Sequence, residues 1–321
     1  MENNPYFLID VKTIRFGALQ AFDVFFLNGE GEKVIYCANG EVVNEEVLEK
    51  IQEHNIEKLY ILEKDKKKYN LYIEKFLGKI ISDPQVNAPV KAKTVYDSMT
   101  NVAALLFDNP TTEIIIRYKN VINNIVEYIF ENDSALKNLI NLSEVDITTF
   151  NKFTTCNHCI NVGLISTGLA KELLKDQNNY DFIEMAKGFF LHDIGNCIIP
   201  LEILNKNGQL SHEEWRMIRR HPKEGVKILT QFNELTDVMK LIVLQHHERN
   251  NGKGYPQRLR GDQIHIYAKI CSIADVFDGL TSFRPHRKKY TTFEALTIMR
   301  NEIFKDLGPD FFAKFVKVFS S

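Results

Sequence analysis

No stretch of this sequence is apolar for long enough to cross a bilayer, and its first residues, MENNPYFLID, lack the basic region and apolar run of a signal peptide. A cytoplasmic protein with no membrane partner is expected. Charge of one sign is also missing. The formal net charge of -2 supplies no global field to draw in a nucleic acid polymer or an anionic surface. Cysteine is sparse: Cys37, Cys156, Cys159, Cys197 and Cys271 are an odd number at irregular spacing, which argues against a disulfide framework and fits a reducing compartment. Cys156 and Cys159 form one C-x-x-C around His158. No second such pair follows and the segment reads as helix, so a zinc ribbon or redox motif is not expected.

What is present divides the chain. A length of 321 residues fits roughly two domains. Residues 1–82 read as a small N-terminal α/β module, a candidate sensor or regulatory unit. Ala21 to Leu27, Lys33 to Cys37 and Lys58 to Leu62 have strand composition with Gly-containing turns between the first two, and Val42 to His54 has helical spacing. The charge run Lys64 to Lys68 reads as a solvated helix start, and the segment from Ser82 to Pro89 as a linker. Residues 83–135 are expected to hold the linker and connecting helices, with stripes at Val102, Leu105, Leu106 and at Ile115, Tyr118, Ile122, Ile125, Val126, Ile129. Such helices also offer a surface for a homodimer. Residues 136–321 read as all-helical.

Eight of the nine histidines lie after residue 150, two of them adjacent. The candidate ligands are His158, His192, Asp193, His221, His246, His247 and Asp275. Imidazole with carboxylate suits iron, manganese, nickel or zinc rather than magnesium or calcium, and seven donors exceed what one ion needs. Each taken alone also reads as a satisfied core or surface residue. His158 precedes the apolar positions Val162, Ile165 and Leu169 and shares their side of a helix. His192-Asp193 ends an apolar helix before Gly195, where two polar groups are costly unless paired or bound. His212 falls in the exposed first turn of a helix opened by a Ser211/Glu214 capping box and is rejected. His221 is expected to end that helix before Pro222. His246-His247 diverge by about 100° on a helix, so both reach one centre only at a helix end or with more than one ion. Asp275 and Asp278 stand three apart on one side of the helix from Ile266 to Thr281.

The order H…HD…H…HH…D, with HDIGN at 192–196, HHERNNGKGYP at 246–256 and ADVFDGLTSFRPHR at 274–287, closely resembles the HD-GYP family of metal-dependent phosphohydrolases. The resemblance covers residues 136–321. It implies an all-helical catalytic domain, iron or manganese ions, and hydrolysis of cyclic di-GMP to pGpG or GMP. It places His158, His192, Asp193, His221, His246, His247 and Asp275 on metal-ligand positions, with Asp193 as the bridge. It puts Arg284 and Arg287 beside the substrate phosphates and Gly254-Tyr255-Pro256 in the signature loop. There Tyr255 either meets a guanine or anchors the loop, and a signalling protein is a candidate loop partner. Thr154 stands where members with a third metal carry glutamate, so two ions are expected. Asn196 replaces the usual lysine after His-Asp-Ile-Gly, and His286 the usual tyrosine.

The implied chemistry is two-ion phosphodiester hydrolysis, with Asp193, Asn196 and Asp278 in the catalytic set and Asp278 or water delivering a proton to the leaving oxygen. Loss of the lysine at Asn196 motivates the alternative, a cyclic di-GMP-binding or protein-docking module with little or no hydrolysis. A mixed guanine-adenine cyclic dinucleotide is a further candidate substrate, since no residue identified here reads the base.

Overall fold

The computed structural model describes residues 5–28, 32–44, 56–143, 152–177, 180–204, 206, 208–282, 289–304, 307 and 309–320. The chain divides into two compact units, residues 1–98 and 99–321.

The first unit holds a four-stranded antiparallel sheet of β1 (Tyr6–Asp10), β2 (Val24–Leu27), β3 (Lys33–Cys37) and β4 (Lys58–Leu62), in the order β1-β4-β2-β3. β1 was not expected: its partner β4 is some fifty residues away, with Tyr6 opposite Leu62 and Asp10 opposite Lys58, so no local turn announces it. On β4, Leu59 and Ile61 are fully buried while Lys58 is exposed, the period-two alternation of a half-covered sheet. Helix α1 (Lys66–Ser82) buries Tyr69, Tyr72, Ile73, Leu77 and Ile80 at helical spacing. Phe22 meets Tyr69 and Tyr72 edge-on. Most of the helix expected from Val42 to His54 lies outside the described residues. After the expected break, α2 (Ala88–Asp108) opens with Pro89 in its first turn, where a missing N–H costs nothing.

The dividing point between the units falls inside α2. The second unit continues with α3 (Thr112–Glu131), α4 (Ala135–Ser143), α5 (Lys152–Leu174), α6 (Phe182–Leu191), a 3-10 turn (Ile194–Ile198), α7 (Leu201–Leu204), α8 (His212–Ile218), α9 (His221–Gln231), α10 (Asp237–Gln245), α11 (Ile266–Thr281), α12 (Thr292–Glu302) and α13 (Pro309–Ser320). The expected stripe on α3 is buried throughout. On α2, Val102 and Leu106 are buried, but Leu105 faces out. α5 is central, packed against α4, α6, α11 and α13. No described helix is long and apolar enough to cross a membrane.

His221 corrects one expectation. α8 stops at Ile218, and His221 is the first residue of α9 rather than the last of α8, because Pro222 is tolerated in a first turn and not in a last one.

Candidate metal centre

Three helix ends meet where the histidines converge. His192 caps the C-terminus of α6 and His246 that of α10, while His221 follows the last residue of α8 by three. A helix end leaves its final carbonyls without an intrahelical partner. Each imidazole uses one three residues upstream: Nδ1 of His192 donates to the Phe189 carbonyl at 2.8 Å, that of His221 to Ile218 at 2.8 Å and that of His246 to Val243 at 2.9 Å. A carbonyl only accepts, so the proton sits on Nδ1 and Nε2 keeps its lone pair. His158 is held by a carboxylate instead of a carbonyl, donating from Nδ1 to Asp278 Oδ2 at 2.6 Å.

These nitrogens surround Asp193. Its Oδ1 lies 3.0 Å from Nε2 of His221 and 3.6 Å from Nε2 of His246. Its Oδ2 lies 3.7 Å from Nε2 of both His158 and His192. Asp275 completes the second side, Oδ1 at 3.3 Å from His158 Nε2, and its Oδ2 is 3.5 Å from His247 Nδ1. Two donor sets result, Asp193/His221/His246/His247 and His158/His192/Asp275, each with ligand atoms within 4.8 Å of one another. All seven expected ligands are thus brought together.

Electron pairs face electron pairs in this arrangement. Nε2 of His221 and of His246 are 3.1 Å apart, and Nε2 of fully buried His192 and Oδ1 of Asp193 have no hydrogen-bond partner among the described residues. Buried acceptors are normally satisfied. Only a cation or an extra proton resolves several converging on one point, so the donor set fits divalent metal. The ionisation states agree. Burial pushes His192 down to about 4, only partly offset by Asp193, and burial with His246 beside it holds His247 well below its usual value. Both stay neutral, as ligands must. Burial would raise Asp193 and Asp275, but the surrounding histidines hold both well below the ordinary carboxylate range. His158 differs: burial lowers it, yet Asp275 and Asp278 outweigh burial and bring it up to about 10.

Asp278 stands behind the centre. It is 2 % exposed, and besides His158 it accepts from Asn161 Nδ2 at 2.7 Å and Ser282 Oγ at 2.9 Å. Asn196 lies in the 3-10 turn just after Asp193, its buried Oδ1 without a partner among the described residues. Arg284, Arg287 and His286 lie outside the described residues, as does the Thr154 side chain.

The Gly-Tyr-Pro loop closes the other flank. A Cβ on Gly254 would stand 2.5 Å from Glu248 Cα and from Arg249 N, so only glycine lets the loop return this close to the histidine pair. Tyr255 then stacks on His247, ring centres 4.7 Å apart, and burial pushes its hydroxyl well up, so it stays a neutral phenol. Glu248, which the sequence did not single out, holds the loop: 2 % exposed, it accepts from the N–H groups of Gln257, Arg258 and Leu259 at 2.6, 3.1 and 2.9 Å. Cys159 was missed as well. Its buried thiol falls in a group with His192 and Asp193, whereas its C-x-x-C spacing with Cys156 pointed only to a zinc-ribbon or redox motif that was not expected.

A family model described as an HD domain matches residues 136–307, more than half of the chain. The chain belongs to the HD-domain family, in its HD-GYP branch. This HD-GYP chain is 32 % identical over 199 residues to cyclic di-GMP phosphodiesterase PA4108 of Pseudomonas aeruginosa, covering 62 % of this chain and 46 % of that one. It is 40 % identical over 129 residues to 3'3'-cGAMP-specific phosphodiesterase 2 of Vibrio cholerae, covering 40 % and 24 %. The HD-GYP chain therefore spans less than half the length of these curated relatives. The fold is shared with Bd1817, an HDG"Y"P protein of Bdellovibrio bacteriovorus, at a TM-score of 0.65 and 22 % identity over 98 % of this chain and all of that one.

Proposed function

We propose that this chain hydrolyses a cyclic dinucleotide, cyclic di-GMP first among them, to linear pGpG or onward to GMP, with two divalent cations, iron or manganese, as cofactors. Asp193 carries the reading: its two oxygens face two different sets of histidine nitrogens, a placement that would let one carboxylate help hold two ions. His221, His246 and His247 would hold one ion, and His158, His192 and Asp275 the other. Such a pair supplies Lewis acidity toward phosphate oxygens and an acidified water.

The chain's own groups do the positioning. Asp278, fully hydrogen-bonded and buried, is assigned to orienting His158, so the proton for the leaving ribose oxygen comes from water. Asn196 offers an unpaired acceptor able to orient water beside Asp193. Tyr255 flanks the substrate as a neutral donor, on the rigid return that Gly254 permits, and Arg284 with Arg287 are assigned to the phosphates. Residues 136–321 form the catalytic domain in this reading, residues 83–135 the connecting helices and residues 1–82 a regulatory module.

The test is hydrolysis by protein purified without oxygen and loaded with manganese or iron. Linear product from cyclic di-GMP is expected, and 3'3'-cGAMP assayed in parallel reads base preference. Tight binding without product across several metals would overturn the enzymatic reading in favour of a binding module.

Asp278→Asn tests the orienting role separately. Loss of such a carboxylate behind a ligand histidine lowers metal affinity by about 10–100-fold, read by chelator competition. In the metal-free protein His158 keeps its proton below about pH 10, so near neutral pH an incoming ion must displace it, and affinity rises with pH. The variant removes one of the two carboxylates that raise His158, so fewer protons are released on metal binding. Unchanged affinity and proton release would remove Asp278 from the centre's support.

A further inference from the structure

Three of the described arginines on this flank of the centre, Arg249, Arg220 and Arg216, have oxygen partners or an acid within reach. Arg249 donates to the His246 and Glu248 carbonyls and to Ser272 Oγ at 3.2, 3.0 and 2.6 Å. Arg220 pairs with Glu224 at 3.1 Å, and Arg216 lies 3.9 Å from Glu213. Arg219 has neither a carboxylate nor a carbonyl acceptor among the described residues. Its guanidinium is held instead between two ring faces, 5.7 Å from the centre of Trp215 and 5.6 Å from that of Tyr255. Attraction to ring faces fixes a cation without using an anionic partner. Tyr255 continues the stack inward to His247, and its ring also lies 6.3 Å from that of His221. A ladder of Trp215, Arg219, Tyr255 and His247 thus leads from the surface to the metal ligands.

Local sequence builds the ladder. Trp215 and Arg219 are four apart, one above the other on α8 and its end, and the capping box of Ser211 and Glu214 fixes the helix that carries them. Trp215 is 45 % exposed and Arg219 is exposed, so the guanidinium stands in solvent beside the centre with its N–H fork unused by any described residue. Placing an uncompensated, oriented guanidinium next to a site read as handling phosphodiesters has one direct chemical use. A fork of N–H donors matches the two non-bridging oxygens of a phosphodiester, where a lysine would offer a point charge.

We infer that Arg219, clamped by Trp215 and Tyr255, is a binding residue for a phosphodiester of the substrate, supplying a cation on the α8 side of the centre. This assignment rests on the phosphodiesterase reading. It concerns binding rather than chemistry, because Arg219 lies beyond Tyr255 from the ligands. Its signature is therefore a rise in KM with kcat little changed.

The experiment compares wild type, Arg219→Ala, Arg219→Lys and Arg216→Ala, all metal-loaded, with cyclic di-GMP as substrate. Arg219→Ala is expected to raise KM about tenfold, the loss of one charge-assisted hydrogen bond, with kcat within about twofold. Arg219→Lys falls between, and Arg216→Ala, whose side chain is outside the ladder, matches wild type. Trp215 is the chain's single tryptophan and gives a second readout. Adding a slowly hydrolysed phosphorothioate analogue of cyclic di-GMP shifts Trp215 emission in wild type and in Arg216→Ala, and not in Arg219→Ala. If wild type turns over and Arg219→Ala shows the same KM and emission change, Arg219 is no ligand for phosphate and only this assignment falls. If wild type neither turns over nor binds the analogue with any metal, the phosphodiesterase reading falls and takes this one with it.

Discussion

Asp193→Ala is expected to abolish binding of both ions and to lower turnover of cyclic di-GMP by more than about 10³-fold. The expectation follows from where its oxygens point. Oδ1 faces His221 and His246, and Oδ2 faces His158 and His192, so one truncation removes a donor from each half of the centre. The four histidine Nε2 atoms are then left clustered in a buried space without the negative charge that makes a cation welcome there. Asp193→Asn keeps the shape and one oxygen acceptor. A side chain that ligates at most one ion gives a metal content near one per chain by elemental analysis, against two for wild type. His158→Ala removes a donor from one half only and should also leave one ion, with His221, His246 and His247 still bound. Two ions per chain in Asp193→Ala would show that the carboxylate is not shared and would dissolve the two-ion reading.

The seven candidate ligands were legible because their residue types are rare together and their order along the chain is distinctive. The devices that orient them were not. Asp275 and Asp278 are equivalent in sequence, three apart on one face of α11. Only the packing of α5 against α11 sets Asp275 before Nε2 of His158 and Asp278 behind Nδ1, giving one a place inside the candidate centre and the other a place behind it. The carbonyls of Phe189, Ile218 and Val243 fix three imidazoles because helices stop within three residues of them, and helix ends are what periodicity reads least well. That weakness also put His221 at the wrong end of a helix. Glu248 has no signal at all: an acid after a histidine pair looks solvated until the loop folds back and presents three N–H groups to it. In the sheet, β2 and β3 were legible from a tight turn, while β1 depends on a partner far along the chain.

Gly195→Ala should be the most damaging conservative change in the second unit. A Cβ on Gly195 would fall on the carbonyl oxygen of His221 and 2.7 Å from the backbone N of Gly225. Both obstacles are main chain, so no rotamer change clears them, and the 3-10 turn must separate from α9. Gly225 meets the same interface from the other side, where its own added Cβ would touch Gly195 N at 3.3 Å and Val243 Cγ1 at 2.9 Å. Two facing glycines thus let backbone pack on backbone directly between Asp193 and His221. Forcing them apart costs about 3 kcal/mol or more, at the upper end for overpacking, read as a lower denaturant midpoint at unchanged slope. The movement also separates Asp193 Oδ1 from His221 Nε2, now 3.0 Å apart, so surviving folded protein should bind metal weakly. A variant with wild-type stability and two ions per chain would mean that the turn and α9 can part without disturbing the centre. The glycine of His-Asp-Ile-Gly would then owe its place to something other than this close approach.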